Sequence, residues 1–144
     1  MKNILVTIDL KKNEKLLVDM AFQLAEAFNS KLWLIHIAAP NPDYVGFEIG
    51  PQYIRDFRAS ELRREHRLLE EYCSGLVAKG VDSEGILVQG GTIEMIIEES
   101  KKLNIDLIIS GHHGHGFFYK AFVGSVSSQI IKKSKIPVLI IPFD

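Results

Sequence analysis

The run Ile4-Leu5-Val6-Thr7-Ile8, closed by Asp9, decides the fold class of this chain. It is apolar at nearly every position, whereas a strand with one face in water would alternate apolar and polar residues. Near-continuous apolarity is typical of strands in a parallel sheet that is covered on both faces. Four similar runs follow along the chain: Leu32–Ala38, Ile86–Val88, Ile105–Ile109 and Pro137–Ile141. The sequence therefore predicts five buried strands.

The segments between these runs have the spacing of amphipathic helices. The first carries Leu17, Ala21, Leu24, Ala25 and Phe28 on one face. We expect Asn13 and Thr92 to start the first and third helices, and Asn29 to stop the first. The other predicted bounds are Pro51 to Gly80, Ile93 to Leu103, and Gly124 to Lys133. Alternating strands and helices, joined by right-handed crossovers, predict an α/β fold with helices on both faces of an open parallel sheet.

The long second helix has one densely charged face and one apolar stripe. Charges of both signs at this density are typical of a solvated face, with a partner surface as the alternative. The charged set is Arg55, Asp56, Arg58, Glu61, Arg63, Arg64, Glu65, Arg67, Glu70 and Glu71. The stripe of Leu62, Leu69, Cys73 and Leu76 indicates a core contact. We interpret Cys73 as a small core residue and not as a nucleophile.

Length and composition favour one soluble domain that spans residues 1–144. Hydrophobic residues make up 47% of the chain, and 17 basic residues nearly balance 18 acidic ones. That balance gives no general attraction to nucleic acid or to an anionic membrane. A lone cysteine excludes an internal disulfide, and no apolar run approaches the roughly 18 residues of a membrane span. We expect a cytoplasmic protein with no nucleic-acid or membrane partner.

The chemistry is expected where the first and fourth strands end. In open α/β sheets, ligands bind beyond the carboxyl ends of the strands, at the point where the strand order reverses. The first strand ends in Thr7-Ile8-Asp9, and the fourth continues into Ser110-Gly111-His112-His113-Gly114. If these strands are neighbours, their ends meet in one crevice. We expect Gly111 and Gly114 to let the backbone bend and approach a ligand closely.

A second glycine-containing stretch, Gly124-Ser125-Val126-Ser127, opens the last helix. N–H groups in a first helical turn lack partners within the helix and carry partial positive charge, so they suit phosphate oxygens. The hydroxyls of Ser125 and Ser127 can add hydrogen bonds there. An alternative is that these glycines only mark a loop and that one serine is an ordinary N-cap. The chain shows neither a P-loop nor a dinucleotide fingerprint.

The pattern Gly111-x-x-Gly114, nine further residues, then Gly124-Ser125 resembles the ATP-binding signature of the universal stress protein family. The resemblance extends to the strand ending in Asp9 and to Ile35-His36-Ile37. It also includes Gly90-Gly91-Thr92 and Lys132-Lys133-Ser134-x-x-Pro137-Val138-Leu139. It therefore covers essentially the whole chain.

The resemblance implies a five-stranded parallel sheet of order 3-2-1-4-5 with a nucleotide at the switch point. Adenine and ribose would lie near Thr7, Ile8, Asp9 and the backbone of Ile37. The residues implied around the phosphates are Gly111, His113, Gly114, Gly124, Ser125, Val126 and Ser127. The chain departs from the family pattern at Leu10-Lys11-Lys12, where many relatives have a small polar pair. His112, His115 and Gly116 also make its loop unusually rich in histidine and glycine.

The expected function is binding of ATP, ADP or AMP by a stress-response or regulatory protein that is at most a slow ATPase. No residue is assigned a catalytic role, because the signature holds no obligatory lysine or arginine for phosphoryl transfer. A Mg²⁺ or Mn²⁺ ion would be held through the phosphates. A transition-metal site at His112, His113 and His115 is a less favoured alternative. The alternatives in function are a dimerisation module that binds no nucleotide and a genuine ATP-dependent hydrolase or transferase.

Self-association is expected at the last strand. In the order 3-2-1-4-5 the segment Pro137–Pro142 is a sheet edge, and an apolar edge invites pairing with another copy. The resemblance likewise implies a homodimer through this strand. We also expect a regulatory protein partner that responds to occupancy of the nucleotide site.

Overall fold

The described residues form five strands and four helices in strict alternation, as predicted. A computed structural model describes residues 1–10, 14–38, 52–89, 93–113 and 126–143. The strands are β1 (Asn3–Thr7), β2 (Lys31–Ala38), β3 (Ser83–Gln89), β4 (Leu107–His113) and β5 (Val138–Phe143). The helices are α1 (Glu14–Phe28), α2 (Gln52–Ala78), α3 (Ile93–Lys102) and α4 (Val126–Lys133).

All five strands are parallel and lie in the order β3-β2-β1-β4-β5, which confirms the predicted topology. β1 is central: Thr7 lies opposite Ile35 of β2, and Val6 lies opposite Ile109 of β4. The strand order reverses between β1 and β4. The carboxyl ends of these two strands therefore meet at the topological switch point.

The sheet separates two hydrophobic cores, which explains why the strand runs lack alternation. Ile4, Leu5 and Val6 are all 0% exposed. Ile4 and Val6 pack with Leu17 of α1 and Leu69 of α2. Leu5 faces the opposite way and shares a core with α3 and α4 side chains, among them Ile96 and Ile130. Each face of β1 is covered by helices, as parallel sheets require.

β4 differs from its predicted range of Ile105–Ile109. Ile105 is buried, but it lies before the strand, and its N–H donates to the Ser100 carbonyl at the end of α3. At the other end β4 continues through Gly111 to His113, paired with β5 up to His113↔Phe143. The expected bend at Gly111 was wrong, because this residue lies within a paired strand opposite Ile141.

The missing side chain of Gly111 makes room for an aromatic ring. A Cβ atom at this position would lie 2.2 Å from Cε2 of Phe143, which is far inside van der Waals contact. Phe143 is itself buried on the side of the sheet that faces α1. The packing of Phe143 inside the protein is therefore enough to explain a glycine at position 111.

Three helices end in a residue with left-handed backbone geometry. The predicted stops Asn29 (φ 54°) and Gly80 (φ 92°) are confirmed, and Asn104 (φ 52°) ends α3 in the same way. In each case the N–H of the following residue donates back to a carbonyl of the last turn, for example Val81 N to Leu76 O at 3.1 Å. This is the Schellman arrangement. The predicted helix starts Asn13, Pro51 and Thr92 lie outside the described residues.

The charged face of α2 is narrower than predicted. The side chains of Arg58 and Glu65 are only 13% and 15% exposed, whereas His66 on the same helix is 62% exposed. Leu69, Cys73 and Leu76 are buried, as expected. Burial raises the pKa of the Cys73 thiol, which agrees with a core role. None of the described helices is both long and apolar enough to cross a membrane.

Replacing Gly80 with alanine is predicted to destabilise the protein by about 1–2 kcal/mol, because an L-residue resists left-handed geometry. A Cβ atom there meets no other atom within 4 Å, so the cost is conformational and not steric. Chemical denaturation measures the free energy of unfolding.

Gly75→Ala is the matched control, since its Cβ atom also meets nothing within 4 Å but the residue lies inside α2. Alanine there is expected to stabilise the protein by about 0.5–1 kcal/mol. Changes of the same sign in both variants would contradict the proposed geometry of the cap.

Candidate functional site

Three hydroxyl groups connect the ends of β1 and β4 to the first turn of α4. Thr7 Oγ1 donates to Ser110 Oγ at 2.8 Å, and Ser110 Oγ lies 2.8 Å from Ser127 Oγ. Ser127 Oγ in turn donates to the Gly111 carbonyl at 2.6 Å. Because the two outer bonds fix the direction, Ser110 is the donor in the central one. The chain of hydrogen bonds is buried at Ser110 and Ser127.

This chain of hydroxyls anchors α4 to the sheet. Pairing between β1 and β4 ends at Val6↔Ile109, so the Gly111 carbonyl lies beyond the last paired residue. Ser127 supplies the donor that a neighbouring strand no longer provides. The single hydroxyl proton of Ser127 is thereby committed inside the protein. The expectation that this hydroxyl adds a hydrogen bond to a phosphate is therefore not supported by its geometry, and its role is to fix the start of the helix.

The peptide group between Ile8 and Asp9 is held on both of its polar sides. Its carbonyl oxygen lies 2.8 Å from Nδ1 of His36 on β2. Its N–H, contributed by Asp9, donates to Oε1 of Glu14 on α1 at 2.8 Å. The N–H of Ile8 continues the sheet by donating to the Ile35 carbonyl at 2.9 Å. The end of β1 therefore has a fixed orientation, with Ile8 buried and Asp9 exposed.

Glu14 is a carboxylate in the interior, only 3% exposed, although it lies in the first turn of α1. Near a helix start its charge is favourably placed relative to the helix dipole. Burial raises the pKa of the neighbouring Tyr72 hydroxyl, and the Glu14 carboxylate raises it further. Tyr72 of α2 therefore lies close to the Glu14 carboxylate that accepts the Asp9 N–H.

Leu10 directly follows this fixed peptide group and has a φ of 61°. A left-handed backbone is uncommon for a residue other than glycine, asparagine or aspartate. Leu10 opens the stretch Leu10-Lys11-Lys12 that was singled out in the sequence, and its side chain packs against the core beside α1. Glycine would adopt this backbone geometry without strain, but it would lack the apolar contact that the Leu10 side chain makes with the core.

Three other predicted site residues, Ile37, Val126 and His113, are described, and they lie at the same edge of the sheet. Ile37 is partly buried against the core beside α3 and α4, two positions beyond the residue that pairs with Thr7. Val126 is 41% exposed at the start of α4. The backbone of His113 ends β4. Gly114, Gly124, Ser125 and the glycine-histidine loop between them lie outside the described residues.

Of the histidine cluster, His115 and the side chain of His113 lie outside the described residues. Within the ranges that the structure describes, no three histidine, cysteine or acidic side chains gather as a metal site requires. His36 lies apart from this cluster, and its Nδ1 atom is engaged with the Ile8 carbonyl.

Sequence reasoning missed Ser110, Glu14 and Glu65. Ser110 follows directly after an apolar run, which was the one available signal that its hydroxyl lies at a strand end. Glu14 resembles any acidic residue in a first helical turn. Glu65 was assigned to the solvated face of α2, but its Oε2 atom lies 3.5 Å from Nε2 of His36.

Comparison with known proteins agrees with this architecture. A profile of the Universal stress protein family matches residues 1–142, so the chain belongs to that family. Universal stress protein A from Photorhabdus laumondii is 30% identical over 147 residues, covering 98% of this chain and 94% of the relative. Universal stress protein A homolog 1 from Coxiella burnetii is 30% identical over 139 residues, covering 96% and 94%.

Solved structures share the fold at lower identity. A universal stress protein from Lactobacillus plantarum has a TM-score of 0.79 at 17% identity and covers 97% of both chains. A universal stress protein solved in complex with cAMP has a TM-score of 0.72 at 23% identity, covering 98% of this chain and 96% of that one. An Arabidopsis thaliana family member with AMP bound has a TM-score of 0.71 at 20% identity, covering 100% and 93%.

Ser127→Ala is predicted to destabilise the protein by about 1–3 kcal/mol, because it leaves the buried Ser110 hydroxyl and the Gly111 carbonyl without their partner. Ser100→Ala is the control. Ser100 is also buried, but among the described residues its hydroxyl bonds to the Ile96 carbonyl of its own helix and joins no other element. Its loss should cost less than about 1 kcal/mol. Equal destabilisation in urea unfolding would argue against the anchoring role of Ser127.

Proposed function

We propose that this member of the family is a stress-response or regulatory protein that binds an adenine nucleotide at the carboxyl ends of β1 and β4. The phosphates would lie at the start of α4, against the amides of Val126 and Ser127 and the signature residues Gly111, His113, Gly114, Gly124 and Ser125. Adenine and ribose would lie near Thr7, Ile8, Asp9 and the backbone of Ile37.

The observation that carries this proposal is the anchoring of α4 at the switch point of the sheet. Ser127 joins the first turn of the helix to the Gly111 carbonyl, which lies beyond the last residue of β4 that pairs with β1. The N–H groups of Val126 and Ser127, which an α-helix leaves without acceptors of its own, are then held near the end of β1, where ligands of open α/β sheets bind. The structural neighbours solved with cAMP and with AMP support an adenine nucleotide as the ligand class.

ATP, with ADP and AMP as alternatives, is the proposed ligand, and Mg²⁺ or Mn²⁺ would be bound through its phosphates. The protein would hold the nucleotide more than turn it over. Phosphoryl transfer needs positive charge concentrated at the transferred group. Among the described residues at the switch point, Thr7, Ser110 and Ser127 are uncharged, and their hydroxyl groups form hydrogen bonds with one another. A regulatory protein partner in the cytoplasm would distinguish the nucleotide-bound protein from the nucleotide-free protein.

The proposal predicts that Val126→Asp weakens binding of ATP by at least about tenfold, since a carboxylate would then face the phosphates. Val126 is exposed, and an acidic residue at a helix start favours the helix, so folding should be preserved. Equilibrium dialysis with labelled ATP, AMP and adenosine measures the effect. The loss should be largest for ATP, smaller for AMP and smallest for adenosine.

Val126→Asn is the matched control, because it has nearly the same shape without the charge. It should bind ATP within about threefold of the unchanged protein, which is less than 1 kcal/mol. If ATP binding is absent in the unchanged protein, the non-binding dimerisation module becomes the better interpretation. A turnover above roughly 1 per second would instead favour a true hydrolase or transferase.

We also propose a homodimer through β5, which lies at one edge of the sheet. Ile108 N donates to the Pro137 carbonyl, and Ile108 pairs with Val138. In a parallel pair of strands, this register directs the N–H and C=O groups of Val138 and Ile140 away from β4. The C=O group of Pro142 points the same way. Pro142 lacks an N–H and therefore limits how far a second strand can extend. Val138 and Ile140 would supply the donors for pairing between copies.

Ile140→Pro is predicted to convert the dimer to a monomer, because it removes an outward N–H while β4 loses no hydrogen bond. Ile140→Ala keeps the N–H, loses the same side-chain contacts, and should remain dimeric. Sedimentation equilibrium at micromolar concentration distinguishes a species of 16.2 kDa from one of twice that mass. A monomer in the unchanged protein would overturn this part of the proposal.

A further inference from the structure

We propose that His36 is a positioning residue for the nucleotide site: it fixes the Ile8–Asp9 peptide group, and Glu65 of α2 holds the His36 ring in place. The inference rests on the proposed function, because it assigns the Asp9 end of β1 to ligand binding. It gives a role to a buried histidine and a partly buried carboxylate that neither the phosphate contacts nor the dimer uses.

The His36 ring has an acceptor at each nitrogen. Nδ1 lies 2.8 Å from the Ile8 carbonyl, so Nδ1 must carry a proton and donate it. Nε2 lies 3.5 Å from Glu65 Oε2, an atom that is buried and makes no hydrogen bond among the described residues. The Nε2 side of the ring therefore faces a carboxylate oxygen that has no hydrogen-bond partner among the described residues.

The contact determines which way the end of β1 faces. The same peptide group whose carbonyl meets His36 donates its N–H to Glu14 Oε1 at 2.8 Å. Rotation of this peptide group would break both hydrogen bonds and leave two buried polar side chains without these partners, which is costly. The peptide group is therefore held before any ligand arrives. Because its orientation directs the Asp9 side chain away from the core, His36 and Glu14 together present Asp9 at the switch point.

An apolar side chain would serve better at this position if packing were the only requirement. His36 lies in β2 among buried residues, with Ile35 on one side and Ala38 two positions further. A polar ring among them is tolerated only where both of its nitrogens are matched. Here one nitrogen meets the backbone of the site and the other meets a carboxylate on a different element. This geometry points to positioning and not to filling of space.

Two substitutions of His36 separate its two nitrogens. In His36→Asn the amide nitrogen stands near the position of Nδ1 and can still donate to the Ile8 carbonyl. In His36→Gln the longer amide reaches toward Glu65 and abandons that carbonyl. Glu65→Gln removes the charge that holds the ring. Glu70→Gln is the control, because Glu70 lies on the same helix, is exposed and faces a different histidine, His66, at 3.9 Å.

The measurements are the ¹H–¹⁵N resonance of the Asp9 amide, which belongs to the same peptide group, and ATP affinity by equilibrium dialysis. We expect His36→Gln to move the Asp9 resonance and to weaken ATP binding by at least about tenfold. His36→Asn should restore both toward the values of the unchanged protein. Glu65→Gln should have an intermediate effect, and Glu70→Gln should have none. Thermal unfolding of each variant verifies that it is folded.

The failure of this inference is distinguishable from failure of the proposed function. If the unchanged protein binds no nucleotide, the Asp9 resonance still reports on positioning, and a shift in His36→Gln that Asn rescues supports it. If the unchanged protein binds ATP but His36→Gln binds equally well with an unmoved Asp9 resonance, His36 is only a core residue and the inference is overturned. Equal loss in the Asn and Gln variants would overturn it as well.

Discussion

The pairing of β1 with two neighbours is the interaction on which the rest of the structure depends. Its three central residues are fully buried, and the strand joins β2 on one side and β4 on the other. Parallel pairing on both sides directs its carboxyl end into the crevice at which the strand order reverses. Thr7, Ile8 and Asp9 reach the site only because of this placement. A one-residue slip would turn each of their side chains to the other face of the sheet.

The sequence predicted the order of the elements well because burial on both faces leaves a clear trace in apolar runs. It predicted the ends of β4 poorly for a physical reason. Ile105 belongs to the same apolar run as the strand, but its N–H closes the cap of α3. Hydrophobicity reports burial and does not distinguish the end of a helix from the start of a strand. The extension through Gly111 depends on Phe143, which lies 32 residues away in sequence and fills the space above it.

The candidate site was predictable in its location and not in the use of its side chains. The switch point and the small residues at Gly111 and the start of α4 were readable from spacing. Whether the Ser127 hydroxyl faces a ligand or the Gly111 carbonyl depends on where the pairing of β1 with β4 stops, and no local pattern contains that information. Glu65 likewise resembles its charged neighbours on α2, and only the fold brings it to His36.

These contacts have a common consequence for recognition. Around the switch point the described polar side chains, Thr7, Ser110, Ser127, His36 and Glu14, are all engaged within the protein. A ligand in the proposed site would therefore depend more on main-chain groups and on the exposed Asp9 than on these five side chains. Main-chain amides at a helix start favour anions without a formal positive charge, so they can hold a phosphate while giving little of the charge stabilisation that its transfer needs.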